Sequence, residues 1–239
     1  MSPELTFALT LLLRMAVTAA FVVSASVITE RSGPVIGALV ATLPISAGPS
    51  YVFLALTYVG LAQRRSVLVS LGAAVTVWFA LAALVRSVPW TLASGLAVNA
   101  VAFAICLPLM ARFRHAKMPV VIRQWYDIPL RAALVAALVA TVVTLSSTIG
   151  PAGSGILALY PVVLTSLMLL LQPRIGGPAT AAVIANGGWG LMGFGLSIAV
   201  LHVTAVPLGS GLALSLALAI CVAWNLGLWT LGRRRAVPS

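Results

Sequence analysis

Acidic residues are nearly absent from this chain: 239 residues carry three, against 14 lysines and arginines, with two cysteines and two histidines. Each scarcity excludes a kind of chemistry. Glu4, Glu30 and Asp127 all fall near the ends of apolar runs, so no carboxylate pair is available for general acid–base catalysis. Nor is there a mid-span acid to exchange a proton for a cation, as many coupled carriers require. His115 and His202 lie far apart, and Cys106 and Cys221 each stand alone in an apolar run, so neither metal-ligand spacing nor a disulfide framework is present. Nucleophile-elbow, zinc-protease and phosphate-loop patterns are missing too. No catalytic residue, metal or cofactor is expected, and the chain does not read as an enzyme. Charged residues make up only 7% of the chain, hydrophobic ones 62%, and the mean hydropathy is +1.15. Such a chain lacks the polar surface to cover a water-soluble globule.

What the sequence does have is apolar runs of about the 20 residues needed to cross a hydrocarbon core. Eight occur, near 6–28, 34–61, 66–86, 90–111, 129–149, 154–173, 178–202 and 208–231. The expected fold is all-α, an integral membrane protein of eight transmembrane helices. Arg14 lies inside the first run, and Glu4 stands where a leader peptide would be basic, so this run is read as a retained span. With a cytoplasmic N-terminus, the cytoplasmic connectors hold Arg64 and Arg65, then Arg112, Arg114, Lys117 and Arg123, then Arg174, and finally Arg233, Arg234 and Arg235. The outer connectors hold Arg31 and Arg86. This positive-inside asymmetry places both termini in the cytoplasm. The basic stretch "MARFRHAKMPVVIRQWYDIP" lacks the stacking aromatics of a nucleic-acid module, and anionic lipid headgroups are its expected partners.

The chain also repeats itself. Residues 14–44 align without a gap on 131–161, with identities at Arg14/Arg131, Gly33/Gly150, Pro34/Pro151 and Pro44/Pro161 among others. Later, "SGLAVNAVAFAIC" (94–106) returns as "SGLALSLALAIC" (210–221). Residues 1–117 and 118–239 are therefore expected to form two tandem four-helix repeats, the basic connector being divided between them. An even number of spans per copy gives parallel copies related by an axis along the membrane normal. The alternative breaks the second span into half-helices and inverts the second copy, which scatters the arginines across both sides.

Candidate pathway residues follow from where polar groups and helix breakers interrupt the runs. Gly33, Gly37 and Ala41 form a smooth helix strip. Pro44 and the Gly48-Pro49 pair then remove backbone donors at membrane depth, beside Thr42, Ser46, Ser50 and Tyr51. The second copy supplies Tyr160, Pro161, Thr165 and Ser166. These breakers either shape a proline kink that serves packing alone or line a solute path. Glu30 and Arg31, which the second copy lacks, mark either one entrance or an interfacial ion pair. Arg14 is either an anion-binding or gating charge or a guanidinium snorkelling to headgroups. In "VIANGGWGLMGFG", Asn186 shares a face with Ala182 and Gly190, and serves either as interhelical glue or as a solute contact beside Trp189. Asn99 and Asn225 carry the same two readings.

The blocks "ERSGPVIGALVATLPISAGP" (30–49), "GILALYP" (155–161) and "NGGWGLMGFG" (186–195) resemble those of small bacterial inner-membrane proteins of the GlpM-like type, here in a tandem-repeat form. The resemblance implies packed spans in a bacterial inner membrane and no particular substrate. Tight helix seams and irregular backbone at depth lead to the expectation of a transporter or exporter for a small neutral or anionic solute of unknown identity. Its path would run between the copies, gated by the second and sixth spans. The alternative is a non-transporting accessory or assembly protein that acts through helix contacts and the basic loop. Homo-oligomerisation stays open under both.

Overall fold

The computed structural model describes residues 3–32, 49–89, 91–117, 119, 126–148 and 160–236, and every regular element among them is an α-helix. Pro44, Ser46, Thr42 and the Gly33–Gly37–Ala41 strip lie outside the described residues. In chain order the helices are α1 (Pro3–Ser32), α2 (Pro49–Ala62), α3 (Val67–Arg86), α4 (Leu92–Ala111), α5 (Asp127–Thr148), α6 (Val162–Ile175) and α7 (Gly177–Ala236). Five stretches are long and apolar enough to cross a membrane: Val67–Val85, Leu92–Ala111, Ile128–Leu145, Gly177–Gly209 and Gly211–Leu231. Large apolar side chains such as Leu68, Val101, Leu134 and Leu212 face outward along them. A continuous apolar exterior of this kind is unsuited to water and suited to hydrocarbon, where a helix satisfies its own backbone. By length and composition, these helices are those of a membrane protein.

The seventh and eighth apolar runs are joined within one element. Pro207 withholds a backbone donor, and two residues later Gly209 adopts φ 74° and ψ 162°, a left-handed conformation that costs glycine little. The chain therefore turns there, leaving two arms, Gly177–Gly209 and Gly211–Leu231.

Among the described residues, two apolar helices are shorter than the runs that contain them. Helices α2 and α6 each have 14 residues, about 21 Å at 1.5 Å per residue, short of the roughly 30 Å hydrocarbon core. Each opens at a proline: Pro49 is the first residue of α2, and Pro161 is the N-cap of α6. Pro161 was expected inside a span; instead it opens a helix, because its missing N–H falls where no intrahelical acceptor exists.

These short helices sit in the interior. Helix α2 packs against α3, α4 and α7, while α6 packs against α1, α3, α5 and α7, and α1 lies along α5. Tyr51, Val52, Leu54, Ala55, Tyr58, Val59 and Ala62 of α2 are buried, as expected of a helix apolar on all sides. At one end of α2 and α6, Trp78 of α3 packs edge-on against both Tyr51 (6.2 Å between ring centroids) and Tyr160 (5.5 Å). At the other end, the buried Tyr58 hydroxyl donates to Gln172 Oε1 (2.8 Å), and Gln172 Nε2 donates to the Arg65 carbonyl (2.9 Å). Helices α2 and α6 thus run in the same direction. Gly177 opens α7 directly against the Ala62 carbonyl, a backbone contact that a side chain would block.

Candidate functional site

Helix α4 begins with a reciprocal cap. The Ser94 backbone N–H donates to Thr91 Oγ1 (3.2 Å), and the Thr91 N–H donates to Ser94 Oγ (3.0 Å), an arrangement that satisfies two otherwise orphaned donors. From that fixed start, Leu92, Gly95, Leu96 and Asn99, then Ala100, Phe103, Ala104, Leu107, Pro108 and Ala111, fall on one face by their spacing of three and four. The first arm of α7 answers with Trp189, Met192, Gly195, Ala199 and His202 on a single face, running antiparallel to α4. Two open pockets lie end to end along this seam. The first, about 310 Å³, is lined by the Thr91–Asn99 part of α4, by Gly195, Ile198, Ala199 and His202 of α7, and by Pro49 at the start of α2. The second, about 350 Å³, is lined by the Ala100–Ala111 part of α4 with Arg114, Trp189 and Met192.

Asn99 and Gly195 line the first pocket at the end nearer the second, whose lining begins at Ala100 and Met192. A Cβ at Gly195 would stand 2.8 Å from Asn99 Nδ2, and Asn99 Oδ1 is buried with no hydrogen-bond partner. Two turns away on the same α7 face, a Cβ at Gly188 would meet Leu107 Cδ2 at 2.8 Å and Met110 Cε at 3.0 Å. These glycines let the helices touch at two points, and the chambers open beside the contacts. Pro108, inside α4, removes the donor that the Ala104 carbonyl would otherwise receive, and both residues line the second chamber.

That chamber ends at a cation. The Arg114 guanidinium carbon lies 5.9 Å from the centroid of Trp189, within cation–π range. Its Nε is buried without a hydrogen-bond partner, and burial pushes the pKa of the group below its usual value. Asn186 holds it in place: Nδ2 donates to the Arg114 carbonyl (3.1 Å) and to the Ala182 carbonyl one turn back (2.8 Å). Trp189 is held in turn from the second arm of α7, where Trp224 Nε1 donates to the Trp189 carbonyl (2.9 Å) and the Trp224 side chain packs on Gly193.

The residues singled out in the sequence separate into groups. Tyr51 and Tyr160 are brought together across Trp78, whose indole N–H is buried with no partner although the residue is 1% exposed. Pro161 and Thr165 lie in the adjoining turn, where the Thr165 hydroxyl donates to the Pro161 carbonyl (2.9 Å). Ser166 is buried with its hydroxyl unpartnered, and Ser50 is half-buried at the start of α2. Asn186 and Trp189 instead join Arg114 at the mouth of the second chamber, with Asn186 acting as glue between α7 and the basic connector. Glu30 and Arg31 fall in the last turn of α1. Arg14 is exposed beside a cavity between α1 and α5, lined also by Thr6, Phe7, Thr10 and Val143, while its counterpart Arg131 is 3% exposed. Gly195, His202 and Arg114 were not picked out by sequence reasoning as pathway residues. Asn99, a lone amide in an apolar run, carried a local signal there, as did Pro49 and Trp189. No protein-family model matches the chain, and no curated protein or solved structure is significantly similar to it, so the GlpM-like resemblance rests on the three sequence blocks quoted above.

Proposed function

We propose that the protein is a transporter or exporter of a small neutral or anionic solute in a bacterial inner membrane, with its path along the α4–α7 seam. One observation carries this reading: two open pockets lie end to end on one matched pair of helix faces, with the close contact of Asn99 and Gly195 where the first ends. A cavity on each side of a single constriction is the geometry that alternate opening to the two sides of a membrane requires. With both termini in the cytoplasm, as the arginine distribution favours, the first chamber faces outward and the second inward. The reading of two parallel four-span repeats is supported by the shared direction of α2 and α6. It is supported also by their exchange of partners, since each packs on both α3 and α7. The seam lies between an α4 from one repeat and an α7 from the other, as a path between copies requires, although not at the matched prolines. The basic connector, resting on anionic headgroups, would hold Arg112 and Lys117 at the inner surface.

Cysteine accessibility tests the path. In a background where the buried Cys106 and Cys221 are replaced by alanine, Leu96→Cys, Asn99→Cys and Leu107→Cys should react with a charged, membrane-impermeant thiosulfonate. Val101→Cys and Ile105→Cys, which are exposed on other faces of α4, should react only with a lipid-soluble maleimide. If the seam positions reacted only with the lipid-soluble reagent, the seam would be a lipid-filled groove and the proposal would fail. It would fail also if the reconstituted protein gave neither flux nor ligand-dependent thermal stabilisation across a broad panel of small metabolites.

A further inference from the structure

We infer that the solute is an organic monoanion with an apolar body, and that Arg114, on its Trp189 platform, binds the charged head in the second chamber. This inference rests on the proposal that the seam is the solute path. Away from Arg114, the chamber wall is made of Ala100, Phe103, Ala104, Leu107, Pro108 and Met192. A sugar or a multiply charged phosphate would leave most of its polar groups unpaired against such a wall, at a cost of about 1–3 kcal/mol each. A cation is repelled by the guanidinium. A molecule with one anionic head and an apolar remainder leaves nothing unpaired.

The guanidinium lacks what that head supplies. Arg114 Nε is buried with no hydrogen-bond partner, and burial already disfavours its charged form. A carboxylate offers two acceptor oxygens in a geometry that matches the guanidinium fork. Trp189 faces the cation from one side, and Asn186 fixes the backbone that carries it, so the group is positioned before a ligand arrives. Size narrows the class further. At about 30 Å³ per water-sized group, a cavity of about 350 Å³ holds on the order of ten non-hydrogen atoms. That corresponds to phenylacetate or octanoate, and it is far smaller than a whole phospholipid.

The test is equilibrium binding of radiolabelled phenylacetate to the full-length protein in phosphatidylcholine nanodiscs. Unlabelled octanoate should displace the label. Phenylacetamide, which keeps the body and loses the charge, and acetate, which keeps the charge and loses the body, should not. Arg114→Gln should weaken binding by about tenfold or more, the scale of one charge-assisted hydrogen bond, with Arg114→Lys between it and the parent. Arg112→Gln should leave affinity unchanged, because Arg112 stacks on Phe113 at 4.7 Å and does not line the chamber. Equal competition by phenylacetamide would overturn the inference without recourse to any variant, and so would full affinity in Arg114→Gln. Loss of binding when phosphatidylglycerol replaces phosphatidylcholine would assign the chamber to an anionic lipid and overturn it too. A seam that is water-accessible by cysteine labelling but binds no phenylacetate would refute this inference alone; a seam inaccessible to the impermeant reagent would refute the transport path with it.

Discussion

Gly193 and Gly195 sit two residues apart on the first arm of α7, and the same added methyl group should have opposite consequences at the two positions. In a helix, Gly→Ala gains about 0.8–1 kcal/mol from the reduced entropy of the unfolded chain. At Gly195 the new Cβ would meet only Asn99 Nδ2, at 2.8 Å. That atom is the far end of a flexible side chain, and rotating the amide away costs about 0.5–1.5 kcal/mol. Gly195→Ala should therefore lie within about 1 kcal/mol of the parent. At Gly193 the methyl would strike Cβ, Cγ and Cδ1 of Trp224. This side chain cannot retreat freely, because its indole N–H is bonded to the Trp189 carbonyl at 2.9 Å. Overpacking of this kind costs about 1–3 kcal/mol, and loss of the hydrogen bond adds about 0.6 kcal/mol on the scale measured within membranes. After the propensity gain, Gly193→Ala should be destabilised by about 1–3 kcal/mol. Equilibrium unfolding in mixed dodecylmaltoside and dodecyl sulfate micelles, followed by tryptophan fluorescence, measures both variants in one assay. If Gly193→Ala matched or exceeded Gly195→Ala in stability, the two arms of α7 would not pack as described. Function should divide the other way: Gly195→Ala narrows the constriction and should lower solute flux in proteoliposomes while the protein remains folded.

The Tyr58–Gln172–Arg65 chain joins α2 and α6 through a buried hydrogen bond of 2.8 Å and a part-buried one of 2.9 Å. Gln172→Leu should cost about 1–3 kcal/mol, because it strands the buried Tyr58 hydroxyl. In the double variant Tyr58→Phe/Gln172→Leu, the second substitution should cost less than it does alone, with a coupling of about 0.6–1.7 kcal/mol in the same micelle assay; strict additivity would mean that the bond does not form. Gly177→Ala should be among the most damaging single-methyl additions, since its Cβ would collide with the backbone carbonyl of Ala62, and loss of folded protein on size-exclusion chromatography would report it. Pro161→Ala, by contrast, should change stability by less than about 1 kcal/mol, because Pro161 caps α6 and does not interrupt it. A larger loss by unfolding titration would show that the helix continues through that position.

Much of the helical plan was legible in one dimension because apolar length and punctuation are local properties. The runs at 66–86, 90–111 and 129–149 appear as α3, α4 and α5 with boundaries moved by a few residues, and the break between the last two runs is written as Pro207 and Gly209. The approach of Tyr51 and Tyr160 to one indole was not legible, since the repeat matches Tyr160 to Leu43 and leaves both Tyr51 and Trp78 outside its matched blocks. Pro161 shows where local reading stops. A proline inside an apolar run reads as a kink, yet the same chemistry serves equally well to begin a helix, and what precedes it in space decides between the two. Asn186 could be assigned to a seam of small residues from its spacing, but its acceptor, the Arg114 carbonyl, lies in a distant connector.

Hydropathy and apolar length were thus sufficient to give helices suited to a membrane, because each depends on composition and on neighbours along the chain. The α4–α7 seam depended on tertiary structure. Its faces come from helices far apart in sequence, its pockets lie beside the close approaches that Gly188 and Gly195 allow, and the half-buried Arg114 has its Nε enclosed without a partner only once Trp189 and Asn186 are folded against it. A pocket and an unsatisfied donor are properties of what surrounds a residue, and only the folded chain supplies those surroundings.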